Sequence, residues 1–110
     1  MYYSSAEYKV TVFKTVKLDG KDYGTTDMWK ITVYCKAMSL QDGGIVADYD
    51  NIAQLIHTTF ASGKMLVDIV GEDASEENVA KWLYEQIIPC YKIKIVTSKN
   101  NVYIYEEDNI

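Results

Sequence analysis

Two apolar runs with a period of two, separated by a turn signal, constrain this fold most. In residues 8–18 one face carries Val10, Val12, Val16 and Leu18. Alternation of β-branched and polar residues predicts a strand, and Asp19-Gly20 ends it with turn chemistry. Residues 28–38 alternate in the same way, with one face formed by Trp29, Ile31, Val33, Cys35 and Ala37. The sequence therefore predicts two antiparallel strands joined through a short loop.

The middle of the chain changes to helical spacing. Asp48 or Asp50 is suited to cap the start of a first helix, and Gly63 is suited to end it. Its apolar positions are Ile52, Leu55, Ile56 and Phe60. A second helix is predicted from near Ser75 to the break at Pro89, with acidic residues in its first turn. The apolar stripe of this helix consists of Val79, Trp82, Leu83 and Ile87.

The last part of the chain predicts a third strand over residues 91–97 and a fourth over residues 102–106, with a turn at Asn100-Asn101. The order is ββααββ, an α+β arrangement in one domain over residues 1–110. Each helix has one apolar stripe, so both should lie on one face of a four-stranded antiparallel sheet. The rival ferredoxin-like order, βαββαβ, needs a helix between the first two strands, where the sequence has no helical period.

Composition excludes several classes of function. The chain of 110 residues has a net charge of −5 and contains no Arg, so it lacks the basic surface that nucleic acid requires. No apolar run reaches the roughly 18 residues that cross a bilayer. No signal peptide is visible, so we expect a cytoplasmic protein without membrane association. Cys35 and Cys90 belong to no C-x-x-C motif, which argues against a zinc ribbon.

Two segments resemble the 6-pyruvoyl-tetrahydropterin synthase family, which includes the 6-carboxytetrahydropterin synthases of queuosine biosynthesis. "GGIVADYDNIAQLI" is similar to the family's G-M-V-x-D-F-x-x-L-K segment. "ASEENVAKWLYEQI" is similar to P-T-x-E-N-x-A-x-W, and the residues in step are Glu77, Asn78, Ala80 and Trp82. The resemblance implies the tunnelling fold, or T-fold, whose ββααββ subunits join sheet edges into a barrel. It therefore implies a homo-oligomer, a trimer or a hexamer.

The resemblance also implies a zinc site whose histidines this chain lacks. "TTDMWK" stands in the place of the family's H-G-H-N-Y-K, so Thr25 and Asp27 replace two ligands. The ligand on the first strand would fall near Lys17 or near Glu7. His57 is the only histidine in the sequence. Zinc in a catalytic site usually has several imidazole ligands, so we expect no metal ligands and no zinc cofactor here.

Other functional positions of the family also differ. The catalytic Cys is absent near Tyr23 and Gly24, and the Asp-His pair falls at residues 61–63, where the sequence reads Ala-Ser-Gly. The glutamate that anchors the pterin ring corresponds to Thr97. The remaining candidates for catalysis are Asp27 and His57, and the candidates for ligand binding are Thr25, Thr97 and Glu77.

Three hypotheses follow from these residues. The first is a T-fold oligomer without zinc-dependent catalysis that binds a flat purine- or pterin-like molecule or a protein partner. The second is an active lyase or synthase with a rebuilt site, acting on a dihydropterin triphosphate. The third is a small acidic protein, for example phage-encoded, that inhibits or sequesters a partner. The ten tyrosines suit either a stacking site for a heterocycle or strand and interface positions.

Overall fold

The structure, a computed structural model, describes residues 1–61 and 63–107 and is dominated by one long hairpin. Strands β1 (Tyr2–Leu18) and β2 (Lys21–Ala37) pair antiparallel along their whole length. Asp19 and Gly20 connect them with φ angles of 52° and 77°. Two residues with positive φ form a type I′ turn, whose twist matches that of paired strands.

This hairpin corrects two sequence predictions. The first strand begins at Tyr2, not at residue 8, and residues 21–27, predicted as a loop, belong to β2. The physical reason is the length of the turn. Because the turn uses only two residues, ladder pairing resumes at Lys21 and continues without interruption. The position of the turn was predicted correctly.

Three helices follow the hairpin: α1 (Tyr49–Thr59), α2 (Leu66–Val70) and α3 (Glu76–Gln86). Asp48 caps α1, since its carboxylate accepts hydrogen bonds from the backbone N–H groups of Asp50 and Asn51, both at 3.2 Å. Ser75 caps α3 in the same manner through the Asn78 N–H. These two starts confirm the predicted ones.

The ends of the helices and the short α2 differ from prediction. α1 ends at Thr59, so Gly63 lies beyond its C-terminus, and α3 ends at Gln86, before Pro89. α2 was not predicted, because five residues are too few to reveal a helical period. It contacts β1 and α3.

Strands β3 (Cys90–Val96) and β4 (Val102–Glu106) complete an antiparallel sheet in the order β1-β2-β3-β4. Asn100 takes a positive φ of 64° in the turn between them, as the predicted turn requires. The α+β class and the four-stranded sheet are confirmed, and the helical layer has one more element than expected. Across residues 1–61 and 63–107, no helix is long and apolar enough to span a bilayer.

The core lies between one face of the sheet and the helices. Its strand residues are Val10, Val12, Trp29, Ile31, Val33, Cys35, Ile93 and Ile95. Its helix residues include Ile52, Ile56, Leu66, Val79, Ala80 and Leu83. Val16 is only half-buried, and Leu18 is exposed although its parity assigns it to the core face. The tip of the hairpin extends past the core, so the last positions of the alternating pattern have nothing to pack against.

We expect Leu83→Ala to lower the free energy of unfolding by about 3 kcal/mol, because it removes a side chain with 0% exposure and leaves a cavity. Leu18→Ala is the matched control, since that leucine is 60% exposed, and it should change stability by less than about 0.5 kcal/mol. Urea denaturation of both variants measures the difference. Equal losses would contradict the described packing.

Candidate functional site

The two residues that replace the family's histidine motif lie side by side on β2. In the hairpin register Thr25 pairs with Lys14 and Asp27 pairs with Val12. Both share the helix-side face of the strand with Trp29, because residues two apart point the same way. With Thr97 and Glu76 they line a cleft of about 330 Å³ at one end of the sheet. The other lining residues are Lys14, Val16, Thr26, Ser98, Lys99, Asn101 and Tyr103.

Asp27 is held by three hydrogen-bond donors. The indole Nε1 of Trp29 donates to Oδ2 at 2.9 Å, and the Met28 backbone N–H donates to Oδ1 at 2.9 Å. The hydroxyl of Ser98, in the turn between β3 and β4, also donates to Oδ1. Both carboxylate oxygens are therefore engaged. The carboxylate joins the end of β2 to the β3–β4 turn.

The charges at the mouth of the cleft are balanced. Lys14 Nζ lies 3.7 Å from Glu76 Oε1, so the first turn of α3 is joined to β1. Thr97 is 7% exposed, and its hydroxyl accepts a hydrogen bond of 3.3 Å from the Asn101 N–H. The hydroxyl of Thr97 can still donate to a ligand in the cleft. This end of the sheet thus presents hydroxyl groups, an ion pair and one ring, that of Tyr103.

The pKa of Asp27 lies below its ordinary value. Burial by itself raises this pKa, but the hydrogen bonds from Ser98, Trp29 and Met28, with the nearby Lys14 ammonium, outweigh it. A carboxylate with a lowered pKa stabilises the folded state fully above its unfolded pKa of about 3.9. That stabilisation is lost as the pH falls through the folded pKa.

The other predicted site residues lie elsewhere. His57 is exposed on α1, where its ring faces Tyr8 at 6.3 Å between centroids, and it lines a different groove with Phe13 and Phe60. Glu77 is exposed in the first turn of α3, and its neighbour Glu76 lines the cleft instead. The structure therefore brings Thr25, Asp27 and Thr97 together and leaves His57 and Glu77 outside.

The remaining positions implied by the resemblance can also be located. The resemblance places a ligand on the first strand near Lys17 or near Glu7. In the hairpin, the β1 residue paired with Thr25 is Lys14, so neither Lys17 nor Glu7 lies opposite Thr25. Of the segment over residues 61–63, Ser62 lies outside the described residues.

The described residues at this end of the sheet do not fit a zinc ion. Asp27 and Glu76 supply the carboxylates of the cleft; both oxygens of Asp27 accept hydrogen bonds, and Glu76 is paired with Lys14. Lys14 places an ammonium group in the same cleft. In residues 1–61 and 63–107, no three His, Cys, Asp or Glu side chains lie close enough to hold a metal ion together.

Comparison with solved structures decides the fold. The structure of 6-pyruvoyl tetrahydropterin synthase from Caenorhabditis elegans superposes with a TM-score of 0.68, over 97% of this chain and 96% of that one. This chain has the tunnelling fold. The two sequences are 14% identical. No family model matches the chain, and no curated protein matches it either.

Within the tunnelling fold, sequence reasoning located three of the eleven residues that line the cleft. It found Thr25, Asp27 and Thr97 through the resemblance but missed Lys14, Glu76, Ser98 and Tyr103. The two-residue Asp-Gly turn was the available signal for Lys14, because it fixes which β1 residue faces Thr25. The contact between Ser98 and Asp27 joins residues 71 positions apart, and no local pattern reports it.

We expect Asp27→Asn to lower the free energy of unfolding by about 1 kcal/mol at neutral pH, because it removes a carboxylate held by three donors. For a chain of this size that corresponds to a melting temperature about 4–8 °C lower. The gap should begin to narrow as the pH falls below about 4, the unfolded pKa, and should close once the pH is below the lowered pKa of the folded carboxylate.

Asp42→Asn is the matched control, because Asp42 is exposed in a turn. The melting temperature of Asp42→Asn should stay close to that of the wild-type protein, as is usual for a substitution at an exposed position. Thermal denaturation of both variants between acidic and neutral pH makes the measurement. An Asp27→Asn protein as stable as wild type at neutral pH would show that the network contributes nothing.

Proposed function

We propose that this protein is a 6-pyruvoyl-tetrahydropterin synthase-like protein that lacks zinc-dependent catalysis and binds a flat purine- or pterin-like molecule in the cleft. The observation that carries the proposal is the closed hydrogen-bond network at Asp27. Where the family implies a zinc ligand, this carboxylate bonds an indole, a hydroxyl and an amide of its own chain. A group engaged in this way serves as a structural anchor.

The cleft has the size and chemistry for a small heterocycle. Its volume of about 330 Å³ lies within the range of small-molecule sites, roughly 300–1,000 Å³. Thr25 and Thr97 supply hydroxyl groups that both donate and accept, which suits the mixed edge of a pterin or purine ring. Tyr103 supplies an aromatic face at the same cleft. The name of the C. elegans structure supports pterins as the first class to test.

Neither of the two predicted catalytic residues is placed to act as a general base in the cleft. A base must reach the proton it removes, directly or through one water. Asp27 is in the cleft but fully engaged, and His57 lines a different groove. The hypothesis of a protein inhibitor has no observation that favours it over ligand binding, so it enters here only as an outcome of the tests.

We expect Thr25→Val to weaken the binding of 7,8-dihydroneopterin by about three- to tenfold, because it removes one hydroxyl partner without changing the shape of the side chain. Thr32→Val is the matched control, a half-buried threonine on the same strand but on the opposite face of the sheet. Fluorescence titration of the purified protein measures both affinities, with guanosine as a purine probe. Binding of neither probe would overturn the proposed ligand class.

The claim about catalysis has its own test. The purified protein should contain zinc far below one ion per chain, and added zinc should produce no turnover of dihydroneopterin triphosphate. Elemental analysis and a chromatographic assay of the product measure the two quantities. Stoichiometric zinc together with turnover would establish the rebuilt enzyme instead.

We also propose that the protein is a homo-oligomer, a trimer or a hexamer. Among the described residues, the outer edge of the 17-residue strand β1 has one bridge, from Phe13 to Met65. A long open edge offers a row of backbone donors and acceptors to another strand. Such an edge is stable in solution when a second copy pairs with it.

Light scattering coupled to size-exclusion chromatography should therefore give a mass three or six times that of the 12.6 kDa chain. The measurement belongs at micromolar concentration and physiological salt, where weak association through surface charges is screened. A monomer under those conditions would contradict the oligomer without affecting the ligand proposal.

A further inference from the structure

The two cysteines of the chain are far apart in sequence but are direct cross-strand partners in the sheet. Cys35, near the end of β2, pairs with Cys90, the first residue of β3. Both are free thiols. Both belong to the helix-side core, where Cys35 is 0% exposed and Cys90 is half-buried. The fold therefore brings together two thiols that no local sequence motif connects.

A β-bulge in β3 turns Cys90 toward the same side of the sheet as Cys35. The register shifts by one residue between Tyr34 and Cys35, and Tyr91 is the extra residue on β3. Regular alternation from the buried Ile93 would direct Cys90 to the helix-free face. An extra residue changes the parity of a strand, so Cys90 packs against the core instead. The bulge is thus the feature that makes the two thiols face each other.

The ladder geometry at this pair suits a disulfide. The next bond along the ladder runs from the Lys36 N–H to the Pro89 carbonyl at 3.4 Å, so Cys35 and Cys90 form a non-hydrogen-bonded pair. The Cα atoms of such pairs are about 4.5 Å apart, and their side chains are directed toward each other. A disulfide requires a Cα separation of about 4.4–6.8 Å. The backbone is therefore already close to the geometry of the bridged form.

Cys90 is the thiol that a small reagent can reach. It lines an open groove of about 370 Å³ together with Met38 and Ile88, and Ile88 is 91% exposed. This groove lies at the other end of β2 from the cleft. Cys35 is fully buried, and its thiol is hydrogen-bonded to the Tyr49 hydroxyl. The difference in access fixes the order in which the two thiols react.

We propose that Cys35 and Cys90 form a reversible disulfide by exchange with a low-molecular-weight disulfide such as oxidised glutathione. The Cys90 thiolate attacks one sulfur of the reagent, which forms a mixed disulfide and releases one thiol. The Cys35 thiolate then attacks the Cys90 sulfur, and the second thiol leaves. The cysteines lose two protons and two electrons, and the reagent gains them as two thiols. The site is separate from the cleft and does not depend on the proposed function.

The surroundings of the thiols make this bond slow to form and stabilising once formed. Burial raises the pKa of Cys35 and raises that of Cys90 to about 12, so little thiolate is present at neutral pH. The Cys90 thiol also donates a hydrogen bond of 3.4 Å to the Lys92 carbonyl, which oxidation removes. The disulfide closes a loop that contains α1, α2 and α3. Closing a long loop stabilises a fold by restricting the unfolded chain.

The test treats the reduced, folded protein with oxidised glutathione at mildly alkaline pH, blocks remaining thiols with N-ethylmaleimide and measures the mass. We expect a monomer lighter by two hydrogens that carries neither glutathione nor maleimide and that dithiothreitol reverses. Digestion at lysine without reduction should then give residues 31–36 linked to residues 82–92. A disulfide-linked dimer, a glutathione adduct that persists, or a reaction that requires unfolding by urea would overturn the proposal.

Single variants separate the two steps. Cys35→Ala should stop at the mixed disulfide on Cys90, because the resolving thiol is missing. Cys90→Ser is the matched control, and it should stay unmodified because its remaining thiol is fully buried. Modification of Cys35 in Cys90→Ser, with none of Cys90 in Cys35→Ala, would overturn the proposed order of attack.

Thermal stability gives a measurement that needs no variant. The oxidised wild type should melt roughly 10 °C or more above the reduced protein, because the bond closes a long loop. The same treatment should leave the melting temperature of Cys90→Ser unchanged. An oxidised wild type that melts at or below the temperature of the reduced protein would show that the bond distorts the native pairing, and this would overturn the proposal.

Discussion

The pairing of β1 with β2 through a two-residue turn is the constraint on which this structure depends. Positive φ at Asp19 and Gly20 closes the hairpin with a turn of only two residues. The turn sets one register for 17 residue pairs. A shift of one residue would move every side chain to the opposite face of the sheet. The register therefore sets the composition of the core and of the strand wall of the proposed cleft.

The two faces of the hairpin are formed by alternate residues of the same two strands. Odd-numbered residues of β2 from Thr25 to Cys35 face the helices, and the end of this row contributes Thr25 and Asp27 to the cleft. The even-numbered residue Lys30 faces the opposite side, beside Lys9 of β1. A strand that began only at residue 28, as predicted, would have left Thr25 and Asp27 in a loop with no fixed relation to Lys14. The extended hairpin gives the cleft a rigid wall.

Asp27 illustrates how one carboxylate can join two parts of a fold that are distant in sequence. Its carboxylate links β2 to the β3–β4 turn through Ser98 and fixes the indole of Trp29, a core residue. In this chain the position is explained by local stability. Similarity of fold at 14% identity is therefore compatible with a different use of the site.

The sequence by itself determined the order of elements, the four-stranded sheet, the turn at Asp19-Gly20 and the capped starts of two helices. These features follow from local rules: period-two alternation, side-chain caps and turn residues. Tertiary structure alone decided that residues 21–27 are strand, that Leu66–Val70 is a helix, and that Lys14, Glu76 and Ser98 join the predicted Thr25, Asp27 and Thr97. It also decided that Lys9 opposes Lys30 and that His57 lies in another groove. The physical reason is that these relations depend on pairing between strands and on contacts between distant residues, and no window of sequence contains both partners.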